Sequence, residues 1–215
     1  MKKLIIVMVF IIGLLGSFNL YRFIHKKLYN QDVELNYSED FYYKLLITEP
    51  LQKDLTRNDL QPYDKENYSI IPIKKYQVAA RVLKRENYYY SEGSDVMPID
   101  LVLGWNIMSD LNVIKSNSIK ISQSNRFYFW HIPNFDNLSR EKIEKNSANT
   151  HVGGINKEIT EQLKNINQND LVYLEGYLVN IVNKNNKHYF KSSVTRDDTG
   201  AGACEVLIIE KVKIL

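Results

Sequence analysis

The pattern of apolar and polar positions divides the chain into three unlike stretches. Leu4 to Leu15 is apolar except for Gly13, and no charge occurs between Lys3 and Arg22. As a helix, the 18 residues Leu4 to Tyr21 are about 27 Å long, close to the roughly 30 Å of bilayer hydrocarbon. Phe23 and Ile24 extend them while Arg22 snorkels. Residues 1–27 therefore read as an N-terminal membrane anchor. A cleavable signal peptide and a buried core helix are the competing readings, and the exit Gly16-Ser-Phe-Asn-Leu20 lacks a clean small-x-small site.

The second stretch, residues 28–75, is aromatic-rich and poorly periodic, punctuated by Pro50, Pro62 and Pro72. One short helix is expected around Asp40 to Ile47; the rest reads as an irregular approach segment. The third stretch, residues 76–215, carries strand signals. Tyr76 to Leu83 alternates, and Pro98 to Trp105 is an apolar run ending at a glycine turn. Ser118 to Trp130 reads as one strand or a bent pair. Two short helices follow, Ser139 to Ile143 with Ser139 as N-cap, and Asn156 to Asn165 with Asn156 as N-cap and Ile159 and Leu163 at i, i+4. Leu171 to Val182 predicts a long strand interrupted by Gly176; Asn183 to Lys187 is a hairpin loop, His188 to Val194 returns, and Cys204 to Leu215 is a closing strand. Long strands with an internal glycine suit a small, strongly bent barrel. The expected fold class is α+β: a transmembrane helix, then a bent antiparallel β-barrel, OB-like or SH3-like, with two short helices.

Composition sharpens this picture in three ways. At 44% apolar and 25% charged the chain is globular rather than disordered. Cys204 is the single cysteine, so no intramolecular disulfide and no thiolate zinc cluster can form within one chain. The net charge of +3 is a sum of unlike parts: Lys2, Lys3, Arg22, Lys26 and Lys27 flank the apolar run, which leaves 23 basic against 25 acidic residues, or −2, for the remainder. The folded part therefore lacks the basic surface a phosphate backbone demands, and no nucleic-acid partner is expected. The positive-inside comparison is nearly tied; the layout of a short basic stub before an apolar run favours a signal anchor that leaves its tail inside and exports an extracytoplasmic domain. The expected partner is the lipid bilayer, through residues 4–21.

Four blocks carry a resemblance: Asp100-Leu-Val-Leu-Gly-Trp105 with Met108-Ser-Asp110, Asn149-Thr-His151, Gly176-Tyr-Leu-Val179, and Ser192-Ser-Val-Thr-Arg-Asp-Asp-Thr-Gly-Ala-Gly-Ala-Cys-Glu205. In these, residues 76–215 resemble a family of uncharacterised, membrane-anchored bacterial proteins. The resemblance implies a bacterial envelope setting, with the anchor in the inner membrane and another envelope protein as an expected partner, and no particular reaction. Where that family's loop after the Asn-x-His step would carry a proline, this chain has Gly153-Gly154.

No motif specifies a chemistry. The candidate ligand-binding residues are Trp105, His131, Asn149, His151, Ser193, Arg196 and Asp198. His131 and His151 with Asp197, Asp198 or Glu205 have the ligand types of a metal site, but no His-x-His or His-x-x-x-His spacing supports one, so no metal or other cofactor is expected. Ser193 or Cys204 with His151 as base and Asp198 as its orienter would make a nucleophile, without a Gly-x-Ser-x-Gly elbow. Thr195 to Ala203 places Arg196 beside two aspartates and two glycines, a loop able to hold a carboxylate, phosphate or sugar hydroxyl, or to brace itself. The sequence thus points to a non-catalytic binding or assembly module of the envelope; the alternative is a membrane-tethered hydrolase around His151 and the Arg196 to Glu205 loop.

Overall fold

The computed structural model describes residues 39–135, 138–198 and 202–215. The apolar run of residues 4–21 lies outside them; among the described residues no helix is long and apolar enough to cross a membrane. Residues Glu39–Leu215 form one compact unit.

The unit is mixed α and β, mostly strand, with four short α-helices among the described residues: the expected early helix, the expected later pair, and one unexpected helix at Leu111–Ser116. Helix α1 (Glu39–Leu46) matches the expected early helix and buries Tyr42 and Leu45. Short strands β1 (Leu51–Lys53) and β2 (Tyr63–Lys65) then flank β3 (Tyr68–Asn87), which begins at Tyr68 rather than Tyr76. Strand β4 (Ile99–Gly104) leads through a 3-10 turn at Asn106–Ser109 into α2 (Leu111–Ser116). A hairpin of β5 (Lys120–Ser124) and β6 (Phe127–His131) forms its own two-stranded sheet. Asn125 and Arg126 between them both have positive φ, 51° and 65°, the conformation of a two-residue turn matched to strand twist.

Helix α3 (Arg140–Lys145), strand β7 (Ser147–Gly154) and helix α4 (Lys157–Lys164) follow. Both expected N-caps are in place: the Lys142 amide donates to Ser139 Oγ at 3.3 Å and the Ile159 amide to Asn156 Oδ1 at 2.9 Å. Long strand β8 (Leu171–Asn183), short β9 (Tyr189–Phe190) and β10 (Glu205–Ile214) complete the chain. Strand β7 is the element the alternation missed. Its Ser147, Asn149, Thr150 and His151 are polar yet buried, so no apolar period marks it.

The pairings close on themselves in the order β3-β4-β7-β10-β8 and back to β3. The closing seam runs from Tyr68↔Asn183 to Arg81↔Leu171. The expectation of a wholly antiparallel sheet is corrected at one seam: β10 runs parallel to β7. A parallel pair needs a long crossover, and α4, β8 and β9 supply it between these two strands. Gly176 sits where β8 meets both β3 and β10, and a Cβ there would run into the Ile208 carbonyl oxygen. Gly153 and Gly154 at the end of β7 are under the same constraint, from the Val96 carbonyl oxygen and the Thr160 amide.

Side-chain parity sorts the core. Tyr76, Val78, Ala80 and Val82 of β3, Ile99, Leu101 and Leu103 of β4, Ala148 and Val152 of β7, Leu174 of β8 and Leu207 and Ile209 of β10 share one cluster on the inner face of the ring, with Leu163 of α4 and Ile166 packed into it. Outside the ring, Leu83, Val102 and Met108 pack with Ile119, Ile132 and Ile143 under the β5–β6 hairpin. A third cluster joins Ile70, Val179 and Ile208 to Val96 and Met97.

Because Leu163 is fully buried in the ring cluster, Leu163→Ala is expected to lower unfolding free energy by about 2–5 kcal/mol. The exposed neighbour change Lys164→Ala should stay within about 0.5 kcal/mol. Chemical denaturation followed by circular dichroism reads both.

Candidate functional site

The two faces of the β7–β10 seam carry two separate polar clusters. Register explains the separation: Asp100 of β4 faces His151 of β7, and Thr150 faces Glu205 of β10. Successive residues of a strand point to opposite faces. Glu205 and Thr150 therefore share the inner face with Leu207 and Val152. Asp100, Asn149 and His151 lie on the outer face, beneath the hairpin.

On the outer face, Asp100 is fully buried, with its Oδ1 2.9 Å from His151 Nδ1 in an ion pair that departs from linear hydrogen-bond geometry. Arg126, carried by the hairpin turn, donates from Nη1 to the same oxygen at 3.1 Å. Its Nη2 donates to the carbonyls of Glu92 and Met97, each at 3.2 Å, and its guanidinium lies 4.2 Å over the Tyr88 ring. Asn149 completes the seam: its Oδ1 accepts from Gln123 Nε2 and its Nδ2 donates to the Arg126 carbonyl, both at 2.8 Å. Hairpin and ring wall are thus stapled by charge and amide together. Burial works against a charged His151, but Asp100 and the Cys204 thiol outweigh it and raise the imidazole to about 9.

On the inner face, Arg196 Nη2 reaches Glu205 Oε1 at 2.7 Å and lies 3.8 Å from Asp198 Oδ1. The guanidinium centre is 6.0 Å from the Trp105 ring. Ser193 Oγ donates to Asp198 Oδ2 at 2.6 Å, and the Ser193 amide donates to the Cys204 carbonyl, closing the neck of the loop. Burial pushes the Glu205 carboxyl up to about 7, against the pull of Arg196. Among the described residues, Tyr76 OH, Trp105 Nε1 and Thr150 Oγ1 are buried without a hydrogen-bond partner.

Six of the seven candidate residues therefore fall into these clusters: Asn149 and His151 outside, Trp105, Ser193, Arg196 and Asp198 inside. His131 joins neither; it is exposed at the end of β6, opposite Lys120 in the hairpin. Asp198 does not orient His151, because it lies in the loop with Arg196 and Ser193; Asp100 holds the imidazole instead. Among the described residues no group of three or more His, Cys, Asp or Glu side chains is placed to hold a metal ion. Asp100, Arg126 and Thr150 are not among the candidates that the sequence marks. Asp100 had a signal, a lone acid in an apolar strand; Arg126, in a turn, had none.

No protein family, no curated protein and no solved structure matches this chain.

Both raised values act on stability with the same sign. A group whose folded pKa exceeds its unfolded value stabilises below the unfolded pKa and loses that contribution as pH rises through the folded one. The melting temperature is therefore expected to fall as pH rises, from Glu205 between 4.5 and about 7, and from His151 between 6.5 and about 9. His151→Gln should flatten the upper part of the curve alone. Melts followed across this range check it, and a wild-type melting temperature constant from pH 6.5 to 9 would contradict the assignment.

Proposed function

We propose that the chain is a single-pass protein of the bacterial inner membrane whose extracytoplasmic unit is a non-catalytic binding or assembly module of the envelope. The observation that carries this reading is how the polar side chains are used. Asp100, Arg126 and Asn149 staple the hairpin to the ring, and Arg196, Ser193 and Asp198 brace the loop over Glu205. These groups spend their charge on one another rather than on an open cleft. The charge-free run of residues 4–21 supplies the membrane half of the proposal.

An OB-like barrel is the finer reading of the ring. Five strands in the order β3-β4-β7-β10-β8, with a jump from β7 to β10, favour a Greek-key closure over a simple meander. Such rings bind through an outer face and its loops, although fold alone assigns no ligand. The face best suited here is the outer side of the hairpin. Phe127 and Phe129 are 45% and 56% exposed there, and Tyr89 and Tyr90 of the adjoining loop are more exposed still. Exposed aromatics grouped in this way suit a protein partner, and the −2 charge of residues 28–215 disfavours nucleic acid.

Two measurements test the reading. A C-terminal alkaline phosphatase fusion is expected to be active and a cytoplasmic reporter in its place inactive; the reverse pattern overturns the exported assignment. Phe127→Ser with Phe129→Ser is expected to abolish recovery of an envelope partner by cross-linking in cells while leaving the melt unchanged. Undiminished recovery removes this face from the account.

A further inference from the structure

We propose that Cys204, His151 and Asp100 form a nucleophilic thiol site on the outer wall of the ring, able to accept an acyl group from an activated ester or thioester. The inference goes beyond the binding reading and does not depend on it. It starts from the parallel β7–β10 seam. Glu205 pairs with Thr150 and Val206 with His151, so Cys204, one residue before Glu205, falls opposite Asn149 and on the same outer face as His151. The Asn149 amide confirms the placement, with Nδ2 3.8 Å from Sγ. Cys204 itself is half-buried, not sealed in the core.

The three groups have the roles that a thiol nucleophile requires. His151 turns Nδ1 towards Asp100, at 2.9 Å, and shares the outer face with Cys204, whose Sγ lies 3.8 Å from Asn149 Nδ2 and 4.0 Å from the Arg126 carbonyl oxygen. Asp100 is fixed in turn by Arg126 at 3.1 Å. A nucleophile beside an imidazole that a buried carboxylate orients is the arrangement by which weak nucleophiles are activated. Although burial resists its charge, His151 is held up to about 9 by Asp100 and Cys204, which fits an imidazolium that can stabilise the sulfur as its proton leaves.

The step balances without an oxidant, metal or cofactor. Sγ attacks the acyl carbon, an S–C bond forms, and the bond from that carbon to the leaving oxygen or sulfur breaks. The thiol proton leaves to water, the His151 imidazolium stabilises the thiolate sulfur and donates a proton to the leaving group, and the ring takes a proton back from water. The product is a thioester on Cys204 and a free alcohol or thiol.

The test uses the purified full-length chain in detergent micelles and p-nitrophenyl acetate as acyl donor, read by p-nitrophenolate release and by mass mapping of the modified residue. The expected result is one acetyl group per chain, on Cys204, formed at neutral pH at least about tenfold faster than on N-acetylcysteine. Cys204→Ser should take none. His151→Gln should lose about tenfold or more in rate, with an unchanged circular dichroism spectrum as the control for folding. Should that variant fail to fold, the wild-type rate relative to N-acetylcysteine and the residue that mass mapping identifies decide. A rate no greater than that of N-acetylcysteine, or acetylation elsewhere than Cys204, would each overturn the site.

Discussion

The seam between β3 and β8 is the constraint on which the rest of this fold depends. Without it the five strands would be an open sheet with two long unpaired edges and an apolar inner face exposed to water. With it, the register from Tyr68↔Asn183 to Arg81↔Leu171 brings β4 and β10 round to β7, and the inner aliphatic side chains meet across a closed space. Gly176 is the local condition of that closure. It is the point of β8 where partners approach from both sides, with no room for a Cβ before the Ile208 carbonyl oxygen.

Closure also accounts for the separation of the polar chemistry. A strand has two faces, and in a ring one looks inward and the other outward. The sequence Asn149-Thr-His151 therefore sends Thr150 towards Glu205 while its neighbours meet Asp100, Cys204 and the hairpin. Two clusters of opposed environment arise from consecutive residues on the same pair of strands. The inner one is an acid and a guanidinium that neutralise each other among aliphatics; the outer one is a charge network that fixes a hairpin. In both, leaving one partner buried alone would cost far more than the pair contributes.

Much of the scaffold was legible from local rules. The capped helices at Ser139 and Asn156, the long strand through Gly176 and the final strand each follow from alternation, caps or turn residues, and α1 falls within one residue of its expected start. What escaped was non-local. Strand β7 is polar because its side chains are satisfied by partners distant in sequence, Gln123 and Asp100 among them, and no window of neighbouring residues holds that information. The same reason hid the exchange of Asp198 for Asp100 beside His151. Chemistry-bearing residue types were readable; which of them share a face depended on a parallel seam that composition does not announce.

Residue-resolved hydrogen–deuterium exchange on the folded chain tests the central claim, that the β3–β8 seam closes and organises the unit. Amides of β3 between Val78 and Arg81 and of β8 between Val172 and Gly176 are expected to be among the slowest in the chain, exchanging only on global unfolding, while the β5–β6 hairpin exchanges sooner. Exchange of β8 amides as rapid as those of the hairpin would contradict closure, and with it the account of both polar clusters.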